Sequence, residues 1–131
     1  MSDMERAVGK LIWKLGCPSK YEGFRYLLEA ICIALEENDA AMCLRKSIYE
    51  QLARRCHTDT RNIERCIRHF IEKWWAERQC GRLFERKPTN SELICFFVEY
   101  IRLGFGACSN CLAKGQLICE CEKLLPATVN F

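Results

Sequence analysis

The sequence predicts an all-α protein: a helical bundle that contains a helix-turn-helix and no sheet, followed by a cysteine-rich tail. Apolar residues recur at the spacing of helix faces through residues 1–104, and the strict alternation typical of strands is absent. Residues 105–131 differ, because glycines loosen the chain and four cysteines fall within residues 108–121. We therefore expect a helical domain over 1–104 and a cysteine-rich appendage over 105–131.

Each predicted helix is an apolar stripe that ends where helix-breaking residues follow. Gly16-Cys17-Pro18 closes the first stripe, and Asn38-Asp39 closes the second. Thr89 and Glu92 have capping-box spacing ahead of the last stripe, although Asn90 is an equally good cap. The expected helices are 3–15, 21–36, a short segment at 40–44, 46–56, 60–78 and 90–103.

The composition argues against several classes of protein. No apolar run approaches the roughly 20 residues of a membrane span, and the charged N-terminus lacks the apolar core of a signal peptide. There is no Ser/His/Asp or Cys/His pairing and no glycine-rich phosphate loop, so we do not expect an enzyme. The 11 cysteines are odd in number, and Cys32, Cys66 and Cys95 lie within apolar stripes. These features favour a cytoplasmic chain with reduced thiols.

Positive charge is concentrated in the middle of the chain. The formal net charge is +3 over 131 residues, but residues 54–87 hold ten basic and five acidic side chains, a local charge of +5. The rest of the chain carries −2. We therefore expect a polyanionic partner at this basic region.

The same region has the spacing of a helix-turn-helix. Two helices that cross steeply need a small residue at the crossing point, and Ala53 supplies it. The apolar residues that bracket the crossing are Leu52, Cys56, Ile63 and Cys66. The turn of this motif often contains glycine, whereas here His57 occupies that place. Histidine tolerates a left-handed backbone better than most residues do.

The second helix of the motif should start near Asp59, with Thr58 as a good N-cap. In a major groove, arginine can grip guanine, asparagine can pair with adenine, and glutamate can accept a hydrogen bond from cytosine. The first turns present Arg61, Asn62, Glu64, Arg65 and Arg68. The alternative is a solvated face, because Glu64–Arg68 and Arg68–Glu72 have i, i+4 spacing for ion pairs. Arg61 and Arg65 share that spacing, and a phosphate or a base edge would relieve their repulsion.

Three segments together resemble a known family. IERCIRHFIEKWW (63–75) and KPTNSE (87–92), with YEGFRYLLEAI (21–31) upstream, are similar to the C-terminal effector domain of the master response regulator of bacterial sporulation initiation. The resemblance covers roughly residues 6–104. It implies a winged-helix-like, effector-domain type of helical bundle without a sheet. It also implies binding to a short box in double-stranded promoter DNA, often as two copies on adjacent sites or as a homodimer, with activation or repression of transcription.

The resemblance also implies roles for individual residues. Glu64, Arg65 and Arg68 match groove-reading positions, and His69 matches a position close to the DNA backbone. In the KPTNSE segment, Lys87 and the helix start are expected to meet phosphates. Arg61-Asn62 stands where the family typically has Ser-Arg, so the preferred box can differ. The full predicted DNA-binding set is Arg61, Asn62, Glu64, Arg65, Arg68, His69, Lys87, Thr89, Asn90 and Ser91.

The likeness leaves two functional readings. Regulators of this kind carry an N-terminal receiver domain, whereas 20 residues precede Tyr21 here. Either the chain is an excised domain, or it is a stand-alone protein under different control; the starting Met and the tail favour the second. The expected function is sequence-specific transcription regulation. The alternative is an interaction module that has lost DNA binding and pairs with a full-length regulator.

The tail carries the pattern Cys108-x2-Cys111-x7-Cys119-x-Cys121. Four thiolates close together can hold a structural zinc ion in tetrahedral geometry. Two alternatives stay open: these thiols are packed or free, or Cys108 and Cys111 form a redox pair. The tail lies outside the family resemblance, which therefore does not support a metal there.

Overall fold

The computed structural model describes residues 3–14, 16–17, 20–36, 46–77 and 84–103. These residues form five α-helices and no strand, so the all-α prediction is confirmed. The helices are α1 (Asp3–Lys14), α2 (Glu22–Glu36), α3 (Lys46–Arg55), α4 (Thr60–Ala76) and α5 (Asn90–Arg102). The segment predicted at 40–44 and the appendage at 105–131 lie outside the described residues. None of the described helices is both long and apolar enough to cross a bilayer.

The helix boundaries agree with the predicted ones to within two residues, with one change of cap. Asp59, rather than Thr58, is the N-cap of α4, because its side chain accepts a 2.7 Å hydrogen bond from the backbone N–H of Asn62. Thr58 belongs to the preceding turn, where its N–H bonds to the Ala53 carbonyl at 3.0 Å. At α5 the predicted capping box between Thr89 and Glu92 is present, with Thr89 as the N-cap.

Helix α2 lies at the centre of the bundle and contacts all four other helices. Almost every residue from Tyr26 to Ala34 is buried, because other helices cover α2 on several sides. Helix α4 makes the most extensive of these contacts. The largest fully buried side chains, Trp74, Phe70 and Phe97, come from α4 and α5. The core therefore fixes the orientation of α4 against both α2 and α5.

Gly23 allows α2 to approach α4 closely. A Cβ atom at this position would collide with the carbonyl oxygen of Cys66 and would lie 2.5 Å from Cβ of Phe70. Both atoms belong to α4 near its backbone, so they cannot move aside as the end of a flexible side chain can. The close contact therefore depends on the absence of a side chain at residue 23.

Several thiols and one ring are less buried than their stripes predict. Cys66, Cys95 and Phe96 are half-buried and pack against the edge of the core. Cys17, Cys32, Cys56 and Cys66 form no disulfide bond. Cys95 is disulfide-bonded, so the expectation of reduced thiols is wrong for this residue.

Candidate nucleic-acid interface

The turn between α3 and α4 has the geometry that the sequence predicts. His57 has φ of 55°, in the left-handed region that glycine usually occupies. The Thr58 N–H to Ala53 carbonyl bond closes the end of α3 around this residue, as in a Schellman motif. Ala53 and Ile63 are buried, so the small residue and the apolar contact required at a helix-turn-helix crossing are both in place.

Helix α4 presents its polar residues on the side opposite its buried stripe. The stripe consists of Ile63, Ile67, Phe70, Ile71 and Trp74, each at most 1% exposed. The exposed face consists of Arg61, Glu64, Arg65, Arg68 and His69. Five of the ten residues predicted to bind DNA therefore lie on one solvent-facing surface of one helix.

The ion pairs that would explain this face as a solvated surface do not form. Glu64, Arg68 and Glu72 all lie within the described stretch 46–77, and the Arg68 guanidinium pairs with neither carboxylate. Glu72 Oε1 instead lies 4.0 Å from Nζ of Lys87. Within the described part of the chain, the Arg68 donors thus remain available to an external acceptor.

Asn62 differs from its neighbours, because it is half-buried and engaged on both ends of its amide. Its Nδ2 donates to Oγ1 of Thr58 at 3.0 Å. Its Oδ1 accepts from Nη2 of Arg65 at 2.7 Å and from the thiol of Cys66 at 3.7 Å. The residue predicted to pair with adenine is therefore part of a hydrogen-bonded chain within the protein.

The start of α5 is hydrogen-bonded to α4 and lies beside Tyr49 of α3. Nδ2 of Asn90 donates to the backbone carbonyl of Glu64 at 3.0 Å. Burial raises the pKa of Tyr49 on α3, while the neighbouring Ser91 and Asn90 side chains act in the opposite direction. KPTNSE and the exposed face of α4, which are separate in sequence, are therefore neighbours in the structure.

A capping box closes the first turn of α5 and fixes a negative charge there. Glu92 accepts from the backbone N–H of Thr89 at 3.0 Å, and Oγ1 of Thr89 accepts from the N–H of Glu92 at 3.2 Å. Arg86 adds two hydrogen bonds to the same carboxylate, at 3.2 and 2.8 Å. The Thr89 backbone bond and the Arg86 guanidinium lower the pKa of Glu92.

Between α4 and the start of α5 lies an open cleft of about 480 Å³. Its basic wall consists of Arg68 and Lys87, and the helix start at 89–91 forms its end. Glu64 and Glu72 line the same cleft, so its charge is mixed rather than purely positive. The cleft brings together six of the predicted residues: Glu64, Arg68, Lys87, Thr89, Asn90 and Ser91.

His69 lies against Tyr21, the residue that precedes α2, and is not part of the cleft lining. Its ring meets that of Tyr21 edge to face, with the ring centroids 6.1 Å apart. Tyr21 in turn donates to Oε1 of Glu77 at 3.1 Å. His69 is thus exposed at the edge of the surface and its ring packs against Tyr21.

Sequence reasoning missed Tyr49 and Arg86, which shape this surface, and it paired Glu72 with Arg68 rather than with Lys87. Tyr49 and Glu72 contact it across long sequence separations, for which a single sequence offers no signal. Arg86 lies six residues before Glu92, in a segment whose path the sequence does not define.

The predicted zinc ligands Cys108, Cys111, Cys119 and Cys121 lie outside the described residues, so the zinc site stays a prediction. Among the residues that the structure describes, no group of His, Cys, Asp and Glu side chains is placed to hold a metal. Metal analysis of the reduced full-length chain tests the tail: a tetrahedral thiolate site predicts about one equivalent of zinc.

Residues 8–101 match the family model described as "Sporulation initiation factor Spo0A C terminal". The chain belongs to this family. The family is a helical DNA-binding effector domain of transcription regulation in sporulation, and it is regulatory rather than enzymatic. The matched region contains all five helices except the first few residues of α1 and the last of α5. The family resemblance predicted from residues 21–31, 63–75 and 87–92 is therefore confirmed.

Proposed function

We propose that this member of the Spo0A C-terminal family is a sequence-specific transcription regulator that places the first turns of α4 in the major groove. The observation that carries the proposal is the Arg68 side chain, which is exposed, unpaired among the described residues and part of the lining of a cleft shared with Lys87 and the start of α5. An arginine in that position can donate two parallel hydrogen bonds to a guanine edge.

In the proposed complex, base recognition and backbone contact come from different elements. Arg65 and Arg68 read guanine, and Glu64 accepts from cytosine, because all three point away from the buried stripe. Lys87 and His69 meet phosphates. The backbone N–H groups of Asn90 and Ser91 can do so too, since the first turn of a helix leaves N–H groups without intrahelical acceptors.

Two further sets of residues add contacts to the proposed complex. Arg61 is exposed at the start of α4, at the pair where the sequence departs from the family, so we expect it to contribute to a distinctive box. Arg54 and Arg55 are exposed in the last turn of α3, where we expect them to contact the phosphate backbone of the DNA. Binding as two copies on adjacent boxes follows from the family resemblance.

A salt-dependent mobility shift tests the proposal. The probe is a duplex selected by the full chain from a randomised library, compared with a scrambled duplex of equal length. Each phosphate contact releases counterions, so log K should fall by about 0.9 per contact for each tenfold increase in salt. A preference for the selected duplex that survives moderate salt supports sequence-specific binding.

Two outcomes would contradict the proposal. Equal affinity for both duplexes would leave only a general attraction of the basic region for DNA. No complex even at low salt would favour the alternative function, an interaction module that pairs with a full-length regulator. Duplexes with one or two copies of the selected box separate single from paired binding, since a paired mode gives a second, cooperative shift.

A further inference from the structure

We propose that Asn62 is a positioning residue that orients the Arg65 guanidinium for base recognition and does not itself read a base. The inference deepens the proposed function and rests on it. Its basis is the hydrogen-bonded chain that runs from Thr58 through the Asn62 amide to Arg65.

The orientation of the Asn62 amide follows from its partners. An arginine guanidinium has donors and no acceptor, so the atom that faces Nη2 of Arg65 at 2.7 Å must be the carbonyl oxygen Oδ1. Nδ2 must then face Thr58, whose hydroxyl oxygen accepts from it at 3.0 Å. The network is consistent in only this arrangement.

The same network leaves Asn62 poorly suited to adenine. A bidentate contact needs Oδ1 to accept from N6 of the base while Nδ2 donates to N7. A carbonyl oxygen has two lone pairs, and Arg65 and the Cys66 thiol already occupy this one. Asn62 is also half-buried, whereas Arg65 is exposed. A base would therefore have to displace the arginine in order to reach the amide.

The hydrogen bond to Asn62 restrains the Arg65 side chain before DNA is bound. A long side chain loses rotamer freedom when it binds, and a partner that already restrains it reduces that loss. One hydrogen bond through Nη2 leaves the remaining N–H donors of the guanidinium for a guanine. Because Thr58 lies in the turn before α4, the restraint is anchored to the helix-turn-helix itself.

The test is a double-mutant cycle measured with the selected duplex and with single-base variants of it. Arg65→Ala identifies the base pair that Arg65 reads. Asn62→Leu removes both ends of the amide with the same side-chain branching and unchanged charge, and should weaken specific binding about 2- to 10-fold. The loss should fall at the same base pair. In the Asn62→Leu/Arg65→Ala double variant, the Asn62 change should add nothing to the effect of Arg65→Ala.

Asn62→Asp serves as the conservative variant. A carboxylate can still accept from Arg65. The bond to Thr58 can also persist with its direction reversed, because the Thr58 hydroxyl can donate to the carboxylate. The added negative charge should weaken binding to the selected and scrambled duplexes alike, while preference at the Arg65 base pair is retained. Thermal unfolding of each variant shows whether the fold is intact, since a general loss of structure would reduce binding to every duplex equally.

The results separate failure of this inference from failure of the proposed function. If Arg65→Ala changes preference at one base pair but Asn62→Leu acts additively or at a different, adenine-containing pair, Asn62 reads a base directly and the inference is wrong. If Arg65→Ala itself leaves every preference unchanged, the groove assignment of α4 is wrong and the proposed function fails first.

Discussion

The buried face of α4 and its exposed face are constrained to very different degrees. Ile63, Phe70 and Trp74 have essentially no exposed surface and contact α2 and the rest of the core. Arg61, Arg65 and Arg68 on the opposite side are exposed, and within the described stretches only Arg65 is held by a neighbour. A change on the first face should therefore act on the free energy of unfolding. A change on the second should act on binding, so the two effects can be measured separately.

The largest expected effect comes from Gly23→Ala, where α2 meets the buried face. The added methyl would press against the Cys66 carbonyl and Phe70, which are on or near the α4 backbone, so the two helices must separate. Such overpacking should lower the free energy of unfolding by about 3 kcal/mol. Urea denaturation measures it.

Gly9→Ala on α1 is the matched control. A Cβ there would lie 3.6 Å from the Leu28 side chain, an ordinary contact. The change should be neutral or stabilising by up to about 1 kcal/mol, because alanine favours helix more than glycine does. Equal losses in the two variants would mean that the close helix contact is not the cause.

Arg68→Ala is the corresponding change on the exposed face. It should weaken binding to the selected duplex by about 1–3 kcal/mol and relax the preference at one base pair, with unfolding almost unchanged. Fluorescence anisotropy titrations against single-base variants measure both. Lys14→Ala removes the same charge at an exposed position of α1 and should change the affinity for the duplex only slightly. A uniform loss across all duplexes would reassign Arg68 to a phosphate contact.

Thr89→Ala tests the capping box at the start of α5. It removes the acceptor of the Glu92 N–H and breaks the capping box, which should cost about 1 kcal/mol of stability. Thr60→Ala is a suitable control, since Thr60 begins α4 but the cap there is Asp59. Chemical denaturation should rank the two variants in that order; a reversed ranking would show that the α5 box is dispensable.

The smallest expected effect is a pH dependence from Glu92. Its pKa is lowered from 4.5 in the folded state, so its contribution to stability is present above pH 4.5 and is lost as the pH falls towards the folded value. Glu92→Gln abolishes this titration. Thermal melts from neutral to acidic pH should show the stability gap between the parent and this variant narrowing below pH 4.5. A constant gap would exclude the carboxylate charge as the cause.

Local patterns predicted the helices well, because the relevant information lies within each segment. The apolar spacing from Ile63 to Trp74 defines α4, and Thr89 with Glu92 defines the start of α5. The cap of α4 was misplaced by one residue because Thr58 and Asp59 are both good caps. Only the turn geometry around His57, which uses the Thr58 N–H, decides between them.

The exposure of the predicted residues on α4 could be inferred from the sequence, but their connections could not. The exposed residues of α4 follow from helix periodicity. In contrast, the contact of Gly23 with Cys66 joins residues far apart in sequence, and nothing in a single sequence predicts it. The contacts of Asn62 are of intermediate predictability. Its partners Thr58 and Arg65 are close in sequence, but several other polar pairs have similar spacing. The choice among them depends on side-chain orientation that only the folded helix provides.

The hydrogen bond from Asn90 to the Glu64 carbonyl also bears on the shape of the DNA. It attaches the start of α5 directly to the backbone of α4, so in the proposed complex the distance between the base-reading residues and the phosphate-contacting segment is fixed by the protein. A duplex must then present a groove of matching width at that point or be deformed to provide it. Sequences that adopt this width at low energetic cost should be preferred even at base pairs that no side chain touches.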